Sequence, residues 1–328
     1  MKTVRILGCL SAFALVAGAA LAQDDYPSRT ITLIVPQTPG GATDTVSRIL
    51  AKAMSEELGQ EIVVENRPGA GNTIGTQLVL ESDPDGYTLG VGSQSSLPIA
   101  PLTRPNLPYD PVGDVVAVYN FANIPNALLS CKELGFESMD DLIAYAKENP
   151  GKLNYASGGV GTTSHFATAQ FNSYAGISDL VVHIPYEGGG KAAGGLASCE
   201  SHYIVGPFAS SAMYGQIEAG KLTPLAVSGD KRIDKLGDTP TFAELGMPEY
   251  KNVGWYGMIA PKGTPPEIVA KLNAAGNAAA QTQEVIEAFN NMGIDPVTVT
   301  PEEYAMQIKE NVESFKKLVD DGAVAIGN

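Results

Sequence analysis

Ile34-Val35-Pro36-Gln37-Thr38-Pro39-Gly40-Gly41-Ala42-Thr43-Asp44 decides how this chain folds, because an apolar β-branched run ends in it and a helical pattern begins on its far side. Residues 30–35 read as a buried strand, and Val46, Ile49, Leu50 and Ala53 recur at the spacing of one helix face. Gly40 and Gly41 permit positive φ and close backbone approach, and Thr43 or Asp44 is the expected N-cap. Unpaired N–H groups of a first helical turn, with the positive end of the helix dipole behind them, make such a loop a candidate anion site. Most strand-to-helix turns bind nothing, so the reading needs a second loop of the same kind.

Working outward, residues 61–65 form a second expected strand, residues 73–80 a helix, and Asp83-Pro84-Asp85-Gly86 a turn into a third strand over 87–91. This strand–helix rhythm predicts an α/β fold with a parallel, doubly wound sheet. The polar loop Gly92-Ser93-Gln94-Ser95-Ser96 follows the third strand, at the end where such sheets bind ligands. The long apolar run 115–129, interrupted by Asn123, Pro125 and Asn126, reads as the crossing into a second lobe.

There the opening arrangement returns: a strand over 153–156, the glycine loop Ser157-Gly158-Gly159-Val160-Gly161-Thr162, and a helix from Thr163 with Ala167, Phe171 and Tyr174 at helical spacing. Two such loops, one per lobe, can grip a ligand from both sides with backbone donors and the hydroxyls of Thr43, Ser157, Thr162 and Thr163. A further strand over 202–205 ends in Gly206-Pro207-Phe208-Ala209-Ser210, and residues 222–227 are the expected return crossing. The expected lobes are residues 23–122 with 226–328, and residues 123–225. Tyr304, Ile308, Val312, Phe315 and Leu318 form a core stripe on a C-terminal helix.

The chain opens with two positive charges, an apolar run over residues 6–21, and Ala20-Leu21-Ala22 before Gln23. This is the pattern of a secretory signal peptide over residues 1–22, and it predicts a mature chain of about 306 residues outside the cytoplasm, more than one core usually serves. Without Lys2 and Arg5 the balance is 19 basic to 36 acidic residues, which makes nucleic acid and anionic membrane poor partners. Cys131 and Cys199 remain after processing and could pair in an oxidising compartment or stay as two buried thiols.

No zinc-type spacing, nucleophile elbow or phosphate loop occurs, so neither metal nor cofactor is expected. The histidines His165, His183 and His202 read as scattered lobe residues, with His165 in the first turn of its helix. Ser164 and His165 are neighbours, but adjacency on a helix does not make a nucleophile and its base.

The residues resemble the substrate-binding proteins of tripartite tricarboxylate transporters, the Bug family. The likeness begins at Tyr26-Pro27-Ser28-Arg29 and runs through the opening stretch, Val64-Glu65-Asn66-Arg67-Pro68-Gly69-Ala70-Gly71, Pro84-Asp85-Gly86-Tyr87-Thr88-Leu89, Leu107-Pro108-Tyr109-Asp110-Pro111, Pro150-Gly151-Lys152-Leu153-Asn154-Tyr155, Ile184-Pro185-Tyr186, Ala219-Gly220-Lys221-Leu222 and Trp255-Tyr256-Gly257. It implies a type II periplasmic-binding-protein fold, two α/β lobes joined by crossing strands. It also implies a small carboxylate ligand, no catalysis, a monomeric receptor, and delivery to a permease of large and small integral-membrane subunits. The implied ligand contacts are Gln37, Thr38, Gly40, Gly41, Ala42, Thr43 and Asp44 in the first lobe, with Ser93 and Ser95 beside them. In the second lobe they are Ser157, Gly158, Gly159, Thr162 and Thr163. Many relatives carry an acidic residue near Gly206, where a ligand amino group can be read. Here Gly206 and Phe208 point instead to non-amino dicarboxylates or aromatic carboxylates. Two alternatives are a closing module that presents a carboxylate to a signalling kinase, and a secreted hydrolase using Ser164 or His165.

Overall fold

The computed structural model describes residues 26–40, 42–208 and 211–324; the expected signal peptide and Gly41 lie outside them. The chain runs β1 (Ile31–Val35), α1 (Ala42–Leu58), β2 (Ile62–Asn66), α2 (Thr73–Leu80), β3 (Thr88–Ser93), α3 (Ala100–Thr103) and β4 (Val115–Cys131). It continues through α4 (Met139–Glu148), β5 (Leu153–Ser157), α5 (Thr163–Ala175), β6 (Val181–Pro185), α6 (Gly189–Ala197), β7 (Tyr203–Pro207), α7 (Ser211–Glu218) and β8 (Leu222–Val227). It ends with β9 (Val253–Pro261), α8 (Pro266–Ala280), α9 (Gln283–Asn290), β10 (Asp295–Pro296) and α10 (Pro301–Asp320).

The strands lie in the order β2-β1-β3-β9-β4-β7-β5-β6, with β8 and β10 also on β4. In the first lobe β1 is parallel to β2 and β3, and β9 runs antiparallel between β3 and β4. In the second, β5 is parallel to β6 and β7, and β7 is antiparallel to β4. Each lobe has its own core. Leu33, Val46, Leu50, Phe121, Met258 and Phe289 anchor one; Leu128, Leu142, Phe171, Tyr203 and Phe242 anchor the other.

β4 serves both lobes. Residues 115–125 pair with β9, and residues 126–131 pair with β7 or β8, so the change of partner falls at Pro125-Asn126. Those residues do not interrupt the strand as their composition suggested. The pairing slips at 117/119 and 120/122 instead, and such irregularities bend a strand.

The return crossing falls later than expected. β8 pairs with residues 127–131 of β4, and Phe242, Met247 and Tyr250 remain in the second lobe's core. The chain re-enters the first lobe between Asn252 and Val253, where Asn126 Nδ2 donates to the Asn252 carbonyl at 2.9 Å and Asn126 N–H to Ser228 Oγ at 2.8 Å. Residues 222–227 are the expected return crossing, but the apolar residues beyond them bury against the second lobe.

α10 packs on both lobes. Tyr304 and Ile308 contact the first, while Phe315 meets Phe166 of α5 edge to face at 5.4 Å. Thr300 caps it with a complete capping box, its side chain accepting from Glu303 N–H while the Glu303 carboxylate takes the Thr300 N–H. Cys131 and Cys199 lie with Cα atoms 5.4 Å apart, within the span of a disulfide.

Candidate functional site

β1 and β3 are parallel neighbours, so the loops that follow them leave the same edge of the first lobe's sheet. The loop after β3 touches the start of α5, which follows the carboxyl end of β5. Thr163 N–H donates to Ser95 Oγ at 3.2 Å, and the two hydroxyls lie 3.0 Å apart. The carboxyl edges of the two sheets therefore face each other. A second contact lies alongside, since a Cβ on Gly161, at φ +78°, would sit 3.0 Å from Thr103 Oγ1.

In the first lobe α1 begins at Ala42, so Thr43 and Asp44 lie inside its first turn and neither is the N-cap. Thr43 Oγ1 donates to Gln37 Oε1 at 2.7 Å and hydrogen-bonds the Tyr256 hydroxyl. Burial pushes that phenol up, and Thr43 lowers it by less. Tyr256 lies opposite Ser93 in the β3–β9 register, which sets it beside the cleft edge.

The Asp44 carboxylate is engaged within the protein. Its carboxylate accepts from Gly40 N–H at 2.9 Å, Asn66 Nδ2 at 2.9 Å and Arg48 Nε at 3.0 Å. Burial alone would raise its pKa, but the hydrogen bonds from Arg48, Gly40 and Asn66 and the Arg48 charge hold it below the usual carboxylate range. Asp44 thus braces the loop from within through its carboxylate. Thr38 and Gly40 are exposed, while the first-turn N–H groups of Ala42 and Thr43 meet no protein acceptor among the described residues.

The second lobe's loop is tightly braced. Gly159 N–H donates to Ser157 Oγ at 3.0 Å, Gly158 N–H to Ser164 Oγ at 3.0 Å, and Thr162 Oγ1 to the Gly159 carbonyl at 2.7 Å. Thr162 is the N-cap of α5 and accepts from His165 N–H. Val160 and Ser164 keep backbone N–H groups without a protein partner among the described residues. Each loop thus offers a pair of donors at a helix start, and neither contains Lys or Arg.

Phe208 is fully buried, packed with Met213 and Ile233 of its own lobe and against Gly293 of the other. Gly206 is also buried, and a Cβ there would lie 3.2 Å from that of Ser164, so it packs under the α5 start. The histidines are not all scattered. His165 and His183 stack with ring centroids 4.2 Å apart, and Tyr155 covers the other face of His183 at 4.8 Å. His183 Nε2 lies 2.7 Å from Ser157 Oγ. β5–β6 pairing sets His183 opposite Tyr155, a juxtaposition that the separate strand patterns did not reveal.

The profile of the family described as "Tripartite tricarboxylate transporter family receptor" matches residues 46–323. The chain belongs to that family. Protein BugT of Bordetella pertussis (strain Tohama I) is 35% identical over 326 residues, 97% of this chain and 98% of that protein. Among solved structures, Rpa4515 of R. palustris with adipate is 32% identical with a TM-score of 0.81, covering 92% of this chain and 99% of that one. MatC (Rpa3494) from Rhodopseudomonas palustris with bound malate is 30% identical with a TM-score of 0.77, covering 90% and 100%. The receptor's two α/β lobes are those of a periplasmic binding protein, and its family is one of solute-binding receptors, not of enzymes.

Proposed function

We propose that this receptor captures a small dicarboxylate in the periplasm and hands it to a permease of large and small integral-membrane subunits. The observation that supports the reading is the contact between Ser95 and Thr163, which joins the loop after β3, neighbour to the loop that leads into α1, to the start of α5; none of these loops carries Lys or Arg. The N–H groups of Ala42, Thr43, Val160 and Ser164, without a protein acceptor among the described residues, would meet the two carboxylates, each charge-assisted hydrogen bond contributing roughly 1.5–3 kcal/mol in a dry site. Adipate and malate in the related structures support the ligand class. The signal-peptide pattern of residues 1–22 supports the compartment.

Gly206 leaves no carboxylate at the end of β7 to read an ammonium group, which favours non-amino acids. The argument for aromatic acids rested on Phe208, and its burial removes that basis. Catalysis is not part of the proposal. His183 meets Ser157, but burial alone lowers its pKa, and among the described residues no carboxylate orients the ring as a general base requires. Closure follows only if the ligand binds the closed form more tightly than the open one. Isothermal titration with adipate, malate, benzoate and aspartate tests the reading. Adipate or malate should bind best; a sole response to aspartate or benzoate would overturn it.

A further inference from the structure

We propose that His165 and His183 are positioning residues, a neutral stacked pair that holds the second-lobe loop in its anion-accepting shape. The inference rests on the reading of that loop as one wall of the ligand site. His165 lies in the first turn of α5 and His183 on β6, so the pair ties the helix start to the strand beside β5.

Each ring holds a part of the loop. Gly161 N–H donates to His165 Nδ1 at 3.4 Å, which requires that nitrogen to carry no proton. His183 Nε2 meets Ser157 Oγ, the same hydroxyl that accepts from Gly159 N–H. A protonated His165 would turn a donor toward the Gly161 N–H and lose the acceptor. A proton on either ring would also place charge 4.2 Å from its stacked neighbour, in a setting closed by Tyr155 on one face and Phe166 at an edge. Burial, and for His165 also its neighbour His183, holds both imidazoles down at about 4. The titratable groups facing the pair are the two rings themselves and Tyr155, whose phenol burial pushes up to about 12; among the described residues no carboxylate, lysine or arginine perturbs either ring. The loop thus stays neutral at the pH where an anion is captured.

The chain has three histidines, so ¹⁵N-histidine spectra of the wild type can be assigned with few variants. His165 should carry its proton on Nε2 with a bare Nδ1, and His165 and His183 should both titrate below pH 5. Titration of either at 6–7, or a protonated Nδ1 on His165, would overturn the proposal. His165→Asn offers Oδ1 in place of Nδ1, whereas His165→Leu offers no acceptor. Gly161 amide exchange should match wild type in the Asn variant and be at least tenfold faster in the Leu variant. Adipate affinity at pH 7.5 should stay within threefold for Asn and fall at least tenfold for Leu. Equal Gly161 exchange in all three proteins would refute the positioning role. If the wild type binds neither adipate nor malate, the proposed function fails, while the tautomer and exchange measurements still decide this inference.

Discussion

Asp44→Asn tests the first-lobe brace. The substitution keeps Oδ1 as an acceptor for Asn66 and Arg48 but turns Oδ2, the acceptor of Gly40 N–H at 2.9 Å, into a donor. One charge-assisted hydrogen bond is then lost outright, at about 2 kcal/mol. Arg48 is half exposed, so loss of its ion pair adds less than about 1 kcal/mol. The total is about 2–3 kcal/mol. With an unfolding entropy near 2.1 cal/mol/K per residue, a chain of roughly 300 residues should lose about 3–5 °C in Tm. The N–H groups of Ala42 and Thr43 would no longer be aimed, so adipate affinity should fall at least tenfold. Differential scanning calorimetry and isothermal titration on the same preparations measure both. A Tm within 1 °C of wild type together with unchanged affinity would refute the bracing argument.

Other perturbations separate scaffold from site. Phe208→Ala should cost about 3–5 kcal/mol in urea unfolding, as truncation of a buried aromatic does, with adipate affinity of the folded protein unchanged. A selective loss of binding would put the ring in the cleft after all. For Cys131 and Cys199, intact mass after alkylation should show no free thiol in the native protein, and Cys131→Ser should cost about 2–5 kcal/mol; two thiols alkylated without reductant would contradict the bridge. His165 is protonated first in the unfolded chain because folding depresses its pKa to about 4, so its contribution is present above pH 6.5 and lost as pH falls to 4. That contribution is roughly 3 kcal/mol. His183 titrates over the same window in both proteins, so urea unfolding should show wild type falling by about this much more than His165→Asn between pH 6.5 and 4; parallel curves for the two proteins would contradict it.

The readable features were local ones. A β-branched run, a glycine turn and a helical period are written within a dozen residues, so both cleft loops could be found before any packing was known. The bracing role of Asp44 was not legible, because the partners of a first-turn carboxylate, Asn66 and Arg48, reach it through tertiary structure. The burial of Phe208 was not legible either, because the direction of a side chain beyond a strand end is set by what packs there, in this case Gly293 from the other lobe. Tyr256 stood in a recognised motif but gained its place beside Thr43 only from the β3–β9 register. The stacked histidines, distant in sequence, meet because β5 and β6 pair.

A crystal structure of the protein with adipate tests the central claim most directly. One carboxylate should lie within hydrogen-bond distance of the Ala42 and Thr43 N–H groups and the other within reach of Val160 and Ser164, with no lysine or arginine touching either. Adipate seated on the guanidinium of Arg104, which donates to Thr103 Oγ1 at 3.0 Å, or in the cavity of about 400 Å³ lined by Lys251, Asn252 and Asn311, would contradict it.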